Sequence, residues 1–266
     1  MLRTRIITAA VLVGVLLGVV LWLPPWATVV VLTLMVLAGA WEWSAFMRAP
    51  GRWTRAAYVL AVAVLLPVTW RLTATLDGRA AVLSIAVLWW IVALLWVIFA
   101  PRWAASWSAA LAGLLALVPA WVALVRILDV PHGAQWMLFM LLLVWVADIG
   151  AYFVGRRFGR VRLAPAVSPG KTWEGVLGGV AVSALVAVAG SAWFGIPWTL
   201  FVPLCLAAVA FSVVGDLTES LLKRFAGVKD SGTLFPGHGG VMDRIDSVTG
   251  AAPVLFFGLV ALGVAR

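Results

Sequence analysis

The chain has 266 residues, of which 65% are hydrophobic and 11% charged, and its mean hydropathy is +1.12. Soluble globular domains are about a quarter charged, so this composition excludes a soluble domain and predicts an all-α polytopic integral membrane protein. The formal net charge of +9 reflects basic loops and anionic lipid head groups in such a protein, and nucleic acid is excluded as a partner.

Apolar runs able to cross a bilayer, at about 20 residues per helix, divide the chain into about nine spans. The first, Ile6 to Leu23, begins like a signal peptide, but no small-x-small site precedes Pro24 and a second apolar run follows at once, so it is read as an uncleaved span. Trp26 to Met47, Ala56 to Trp70 (short), Ala80 to Phe99 and Trp107 to Val125 come next. Trp136 to Val154, Trp173 to Phe194, Trp198 to about Leu222 and Val248 to Val264 complete the set. With the N-terminus cytoplasmic, only Arg71, Arg79, Arg126 and Arg266 among the 19 basic residues fall outside, which fixes the expected orientation by the positive-inside rule. The expected location is the cell (plasma or inner) membrane, with the polar segment after span eight facing the cytoplasm.

The polar groups are unevenly spread. Residues 1–130 carry three acids, Glu42, Asp77 and Asp129, and no dense motif. They read as a transmembrane scaffold, and residues 131–266 as the catalytic region. Cys205, the single cysteine, lies in an apolar run and is read as a small hydrophobe. His132, beside Pro131, is read as solvated and incidental.

Asp148 sits late in span six, where a carboxylate is costly enough that a functional role is the default. The following loop holds Ser168, Lys171, Thr172 and Glu174 around Pro169-Gly170, which are expected to turn the chain into span seven. A helix start with Lys171 and Thr172 suits either phosphate binding or simple capping. The Gly-Lys-Thr triplet is not a P-loop, because Pro165 stands where the spacing needs glycine.

Five of the ten acidic residues fall between Gly215 and Ser247. Asp216 with Glu219, and Asp243 with Asp246, are i, i+3 pairs, each on one helix face, and Ser220 and Lys223 extend the first face. Two acidic faces meeting at the membrane surface suit Mg²⁺ or another hard cation, and Lys223, Arg224, Lys229 and Arg244 suit phosphate oxygens. The alternative is a loop whose charges satisfy one another. Pro236 to Gly240 forms a glycine-permissive loop able to press backbone amides on a ligand, with His238 as a phosphate donor or acid/base. Cation, basic groups and a glycine loop at one membrane face suit phosphoryl or nucleotidyl transfer to a lipid.

The run Ser220-Leu-Leu-Lys-Arg224, then Lys229-Asp230-Ser231-Gly232, then Pro236-Gly-His-Gly239-Gly-Val-Met-Asp-Arg244-Ile-Asp-Ser247 resembles the hallmark of the phosphatidate cytidylyltransferase (CDP-diacylglycerol synthase) family. Asp148 with Ala151-Tyr152, and Ser168 to Gly175, are similar to that family's second block; the likeness spans roughly 145–253. It implies the reaction CTP + phosphatidate → CDP-diacylglycerol + pyrophosphate with Mg²⁺, and a second cation is an option. On that reading Asp216, Asp243 and Asp246 hold metal, while Lys171, Lys223, Arg224 and Lys229 clamp phosphates. Asp148 and Glu174 complete a polar floor. The partners expected are CTP, phosphatidate and membrane lipids, with a homodimer among the assemblies the sequence permits. Competing classes are a lipid kinase, a secondary transporter and a CDP-alcohol phosphotransferase, whose D-G-x2-A-R signature is absent.

Overall fold

A computed structural model describes residues 2–48, 51–235 and 239–265, with the side chains of residues 2–9 and 12 outside that description. In chain order the helices are α1 (Leu2–Trp22), α2 (Pro25–Ser44), α3 (Arg52–Leu72), α4 (Leu76–Phe99), α5 (Ser106–Asp129) and α6 (Gly133–Phe158). A hairpin of β1 (Arg162–Ala164) and β2 (Ser168–Thr172) follows, then α7 (Trp173–Phe194), α8 (Trp198–Ala226) and α9 (Met242–Ala261). Eight of these helices, α2 to α9, are long and apolar enough to cross a membrane, and α1 adds a shorter apolar stretch. The chain is an all-α polytopic membrane protein, and its helices fall where the apolar runs predicted them.

The order of burial sets the architecture. In its most apolar window α5 has 72% of residues inside the molecule, against 17% for α3. α5 is therefore the central post and α3 an outer, lipid-facing helix. α5 packs against α2, α3, α4, α6 and α9, so the first five helices and the last four share one bundle. A hydrocarbon solvent gives no hydrophobic drive between helices, so contact there rests on close packing. Gly215 on α8 and Gly250 on α9 provide it: a methyl on Gly215 would come 2.5 Å from the Asp246 carbonyl oxygen, and one on Gly250 would overlap the Phe211 carbonyl. α6 and α7 are similarly close where Gly150 meets Gly178 and Gly179. Farther along, Trp136 of α6 stacks on Phe194 of α7 with ring centroids 3.5 Å apart.

One local feature differs from the expectation. Pro169 and Gly170 do not turn the chain; they lie in β2, and the turn is Pro165–Val167, closed by the Val167 N–H on the Ala164 carbonyl at 3.1 Å. Proline at the second turn position presets φ there, and Pro169 sits on a two-stranded hairpin, where a missing N–H costs little. As the i, i+3 spacing of the acids predicted, α8 continues to Ala226 and α9 begins at Met242, so both helices run past the apolar stretches into the charged segment. Charge pairing between the two helices, described next, is what makes those extra turns stable.

Candidate active site at one end of the bundle

α8 and α9 approach through Gly215 and Gly250, so the acids one to four residues beyond Gly215 face the first turns of α9. At the centre is Lys223, whose Nζ lies 2.6 Å from Glu219 Oε2 and 2.7 Å from Asp243 Oδ1. Glu219 is fully buried and Asp243 nearly so, which makes this a bridge between helices rather than a surface pair. Removing one member would leave a buried charge uncompensated.

Asp243 has further partners. Its Oδ2 accepts from the Gly240 N–H at 2.8 Å and the Ser231 N–H at 3.0 Å, and lies 2.9 Å from Ser231 Oγ. Ser231 Oγ is also 3.1 Å from Glu42 Oε2, so its single proton serves one of two carboxylates at a time. Glu42 Oε2 additionally accepts from the Met242 N–H at 2.9 Å. The long loop between α8 and α9 is thus tied down from both sides, by the first turn of α9 and by a carboxylate from α2. In the sequence Glu42, between Trp41 and Trp43 near the cytoplasmic end of span two, is placed where it can approach the site, but no role is assigned to it.

A second layer lies toward the open face. Lys171 of β2 forms an ion pair with Asp216 of α8, both side chains about a quarter exposed. Ser220 Oγ donates to Asp216 Oδ1 at 3.3 Å. Asp246 Oδ1 accepts the Ser247 N–H at 2.7 Å, and the Asp246 carboxylate faces Asp216 and Glu219. Asp148, exposed on α6, faces Asp216, Lys171, Ser247 and Arg244. Beside it Ile149, Tyr152 and Phe153 are exposed too, so the acidic face adjoins apolar surface.

The hairpin exists to deliver Lys171. Thr172 is buried and caps α7, its Oγ1 accepting the Gly175 N–H at 3.2 Å, which decides the capping role over a free helix start. Glu174 reaches back to accept the Arg160 N–H at 3.0 Å and the Val161 N–H at 3.2 Å, fastening the strand that precedes the hairpin. Ser168 opens β2 opposite Ala164. Arg224 is exposed and its Nε contacts the Val167 carbonyl at 3.4 Å, joining α8 to the hairpin.

The expected residues therefore separate. Asp148, Lys171, Asp216, Ser220, Arg244 and Asp246 share one open face. Glu219, Lys223 and Asp243 lie beneath it. Lys229 and Asp230 are exposed on the loop after α8. Gly239 has φ +79, a conformation only glycine adopts without strain, and its carbonyl accepts the Phe235 N–H at 2.9 Å. His238, with Pro236 and Gly237, lies outside the described residues.

Carboxylates outnumber bases here: Asp148, Asp216, Glu219, Asp243 and Asp246 face Lys171, Lys223 and Arg244. Glu219 Oε1 is buried with no hydrogen-bond partner, and the Asp246 carboxylate is among the charged groups around Glu219. An orphaned carboxylate oxygen beside further carboxylates fits a hard cation. Among the described residues no three His, Cys, Asp or Glu side chains are grouped so that they could hold a metal ion by themselves. Mg²⁺ bound by one or two carboxylates, with waters and substrate phosphates, needs no such shell.

Residues 3–262 match the model of the cytidylyltransferase family. The chain belongs to that family. It is 43% identical over 270 residues to the phosphatidate cytidylyltransferase of Pseudomonas aeruginosa, covering 99% of this chain and 98% of the relative. Likeness to the phosphatidate cytidylyltransferase of Haemophilus influenzae is 40% over 280 residues, 95% of this chain and 96% of the relative. The Bacillus subtilis phosphatidate cytidylyltransferase matches at 41% over 140 residues, about half of each chain. The two full-length matches include the first five helices, for which the motifs alone carried no likeness.

Proposed function

We infer that this chain transfers the cytidylyl group of CTP to phosphatidate, giving CDP-diacylglycerol and pyrophosphate for phospholipid synthesis. The observation that carries this reading is the near-full-length match to relatives bearing that activity in their names. The site geometry is the chemistry the reaction needs. A phosphatidate phosphate oxygen bonds to the α-phosphorus of CTP, and the bond from that phosphorus to the pyrophosphate oxygen breaks. Phosphatidate is already largely dianionic near neutral pH, so no strong general base is required. Catalysis then rests on positioning and neutralising phosphate charge.

Asp216 and Asp246, with the orphaned Glu219 oxygen behind them, are the residues that would hold Mg²⁺. Bound there, it would supply charge neutralisation for phosphate oxygens. Lys171 is held over this face by Asp216 and is free to exchange that carboxylate for a phosphate. Arg244 approaches from α9. Asp243 and Lys223, both expected among the reacting groups, serve here by fixing the loop and the α8–α9 spacing. The exposed apolar flank of α6 beside Asp148 gives a lipid lateral access, and the soluble nucleotide enters from the aqueous side. Because CTP and Mg²⁺ are cytoplasmic, and because basic residues concentrate at this end, the site faces the cytoplasm and the membrane is the cell membrane.

CTP labelled in either the cytosine or the γ-phosphate tests the reading. Purified protein given phosphatidate should move cytosine label into the lipid and release labelled pyrophosphate from the γ-label. Lipid labelled from the γ-phosphate would mean a kinase, and unlabelled lipid in both cases would favour transport.

A further inference from the structure

The end of the bundle remote from the acidic face carries a second polar cluster that the reaction does not use. α5 is 24 residues long, so its two ends are separated by about 36 Å. At the far end Arg79 of α4 and Arg126 of α5 are both largely buried, 9% exposed for Arg79 and 11% for the Arg126 side chain. Thr73 holds them side by side: Arg79 Nε donates to its carbonyl at 3.3 Å and Arg126 Nε to its hydroxyl at 3.1 Å. Arg79 Nη1 also donates to the Ala265 carbonyl at 3.2 Å, and Arg126 Nη2 to the Trp70 carbonyl at 2.6 Å. The carboxylate in contact, among the described residues, is Asp129, 3.1 Å from Arg126 and 57% exposed.

Both guanidiniums and Asp129 line a recess of about 60 Å³, room for a small anionic group rather than an isolated water. Two like charges set together away from water repel, and a shared anion relieves that cost. Asp129 also lines a second, larger cavity of about 480 Å³ between α2, α3 and α5. Its walls include Trp26, Thr33, Ala63, Pro67, Trp121 and Val125. Arg126 joins the two spaces, because its guanidinium lies 5.3 Å from the ring centroid of Trp70, another wall of the large cavity. Along α2 the cavity extends from Pro25 to Leu37, about 18 Å of helix, close to the depth of one leaflet in a ~30 Å hydrocarbon core.

We propose that this end of the bundle is a binding site for an anionic phospholipid of the leaflet opposite the acidic face, its phosphate on Arg79 and Arg126 and an acyl chain in the α2–α3–α5 cavity. Charge complementarity and leaflet-scale depth select that occupant over a peptide or a neutral lipid. The lipid splints the outer helix α3 to α4, against which it packs little on its own.

Native mass spectrometry of the detergent-solubilised protein, offered phosphatidylglycerol or phosphatidylcholine in turn, reads the site. The full chain should retain phosphatidylglycerol about tenfold better than phosphatidylcholine. Ala63→Phe, which fills the cavity, and Arg126→Gln should each lower that retention about tenfold. Equal retention of both lipids, or retention untouched by both far-end variants, would overturn the site. Should either variant fail to fold, phosphatidylglycerol with a photoreactive acyl chain, used on the unaltered protein, decides the matter. Label within residues 63–70 or 121–128 is expected, and label confined to other helices would refute the proposal.

Discussion

Glu42 shows how much one carboxylate does at this site. It accepts from the Met242 N–H and approaches Ser231 Oγ, so it fastens the first turn of α9 and the loop before it. Glu42→Ala leaves a buried N–H without a partner, which costs about 1–3 kcal/mol. Thermal unfolding in detergent should show a lowered melting temperature, with Glu42→Gln, whose amide oxygen still accepts, closer to the parent. Lys223 carries a larger stake. Lys223→Met strands Glu219 and Asp243 together, and breaking a buried pair in this way costs about 3–5 kcal/mol. Adding Glu219→Gln removes one stranded charge, so the double variant should regain part of the lost stability. Equal stability of Lys223→Met and the parent would contradict a buried bridge holding α8 to α9. The signal for Lys223 was legible in the sequence, as an i, i+4 neighbour of Glu219. For Glu42 only its place near the cytoplasmic end of span two was legible, because its partners lie 189 and 200 residues away and hydropathy reads only local runs.

Among the elements, α8 and α9 do most to build the site. Their spacing depends on Gly215 and Gly250, and a Cβ at Gly215 would meet the carbonyl of Asp246 itself. Gly215→Ala should push the helices apart, costing about 1–3 kcal/mol. Because the carboxylates proposed to hold the cation sit on both helices, turnover should fall in membranes even where the protein remains folded, and a rate assay beside a melting curve checks this. The apolar cores of both helices were plain in the sequence. Their charged extensions were legible through the i, i+3 spacing of Asp216 with Glu219 and of Asp243 with Asp246, although hydropathy alone ends a span where charges begin. The hairpin, by contrast, was missed. Strands of three and five residues are too short to show a period, and Pro169-Gly170 carries the ordinary signature of a turn. The real turn was marked by Pro165, four residues before Pro169.

At the scale of the whole molecule, the helix count and the family were legible because bilayer burial and the Gly215–Ser247 segment both leave strong marks in composition. What composition did not reveal is that the acidic segment forms two layers. Glu219, Lys223 and Asp243 form a locked base, and Asp148, Lys171, Asp216 and Asp246 form the open face above it. The layers make different predictions. Asp243→Asn should lose stability and turnover together, since Asp243 bridges to Lys223, Ser231 and Gly240. Asp216→Asn touches only the open face. The rate at which the Asp216→Asn protein moves cytosine label from CTP into phosphatidate therefore tests the central claim most directly. A rate lowered about 100-fold or more, with the melting temperature within about 2 °C of the parent, is the expected result. Transfer at near the parent rate in the folded variant would contradict it.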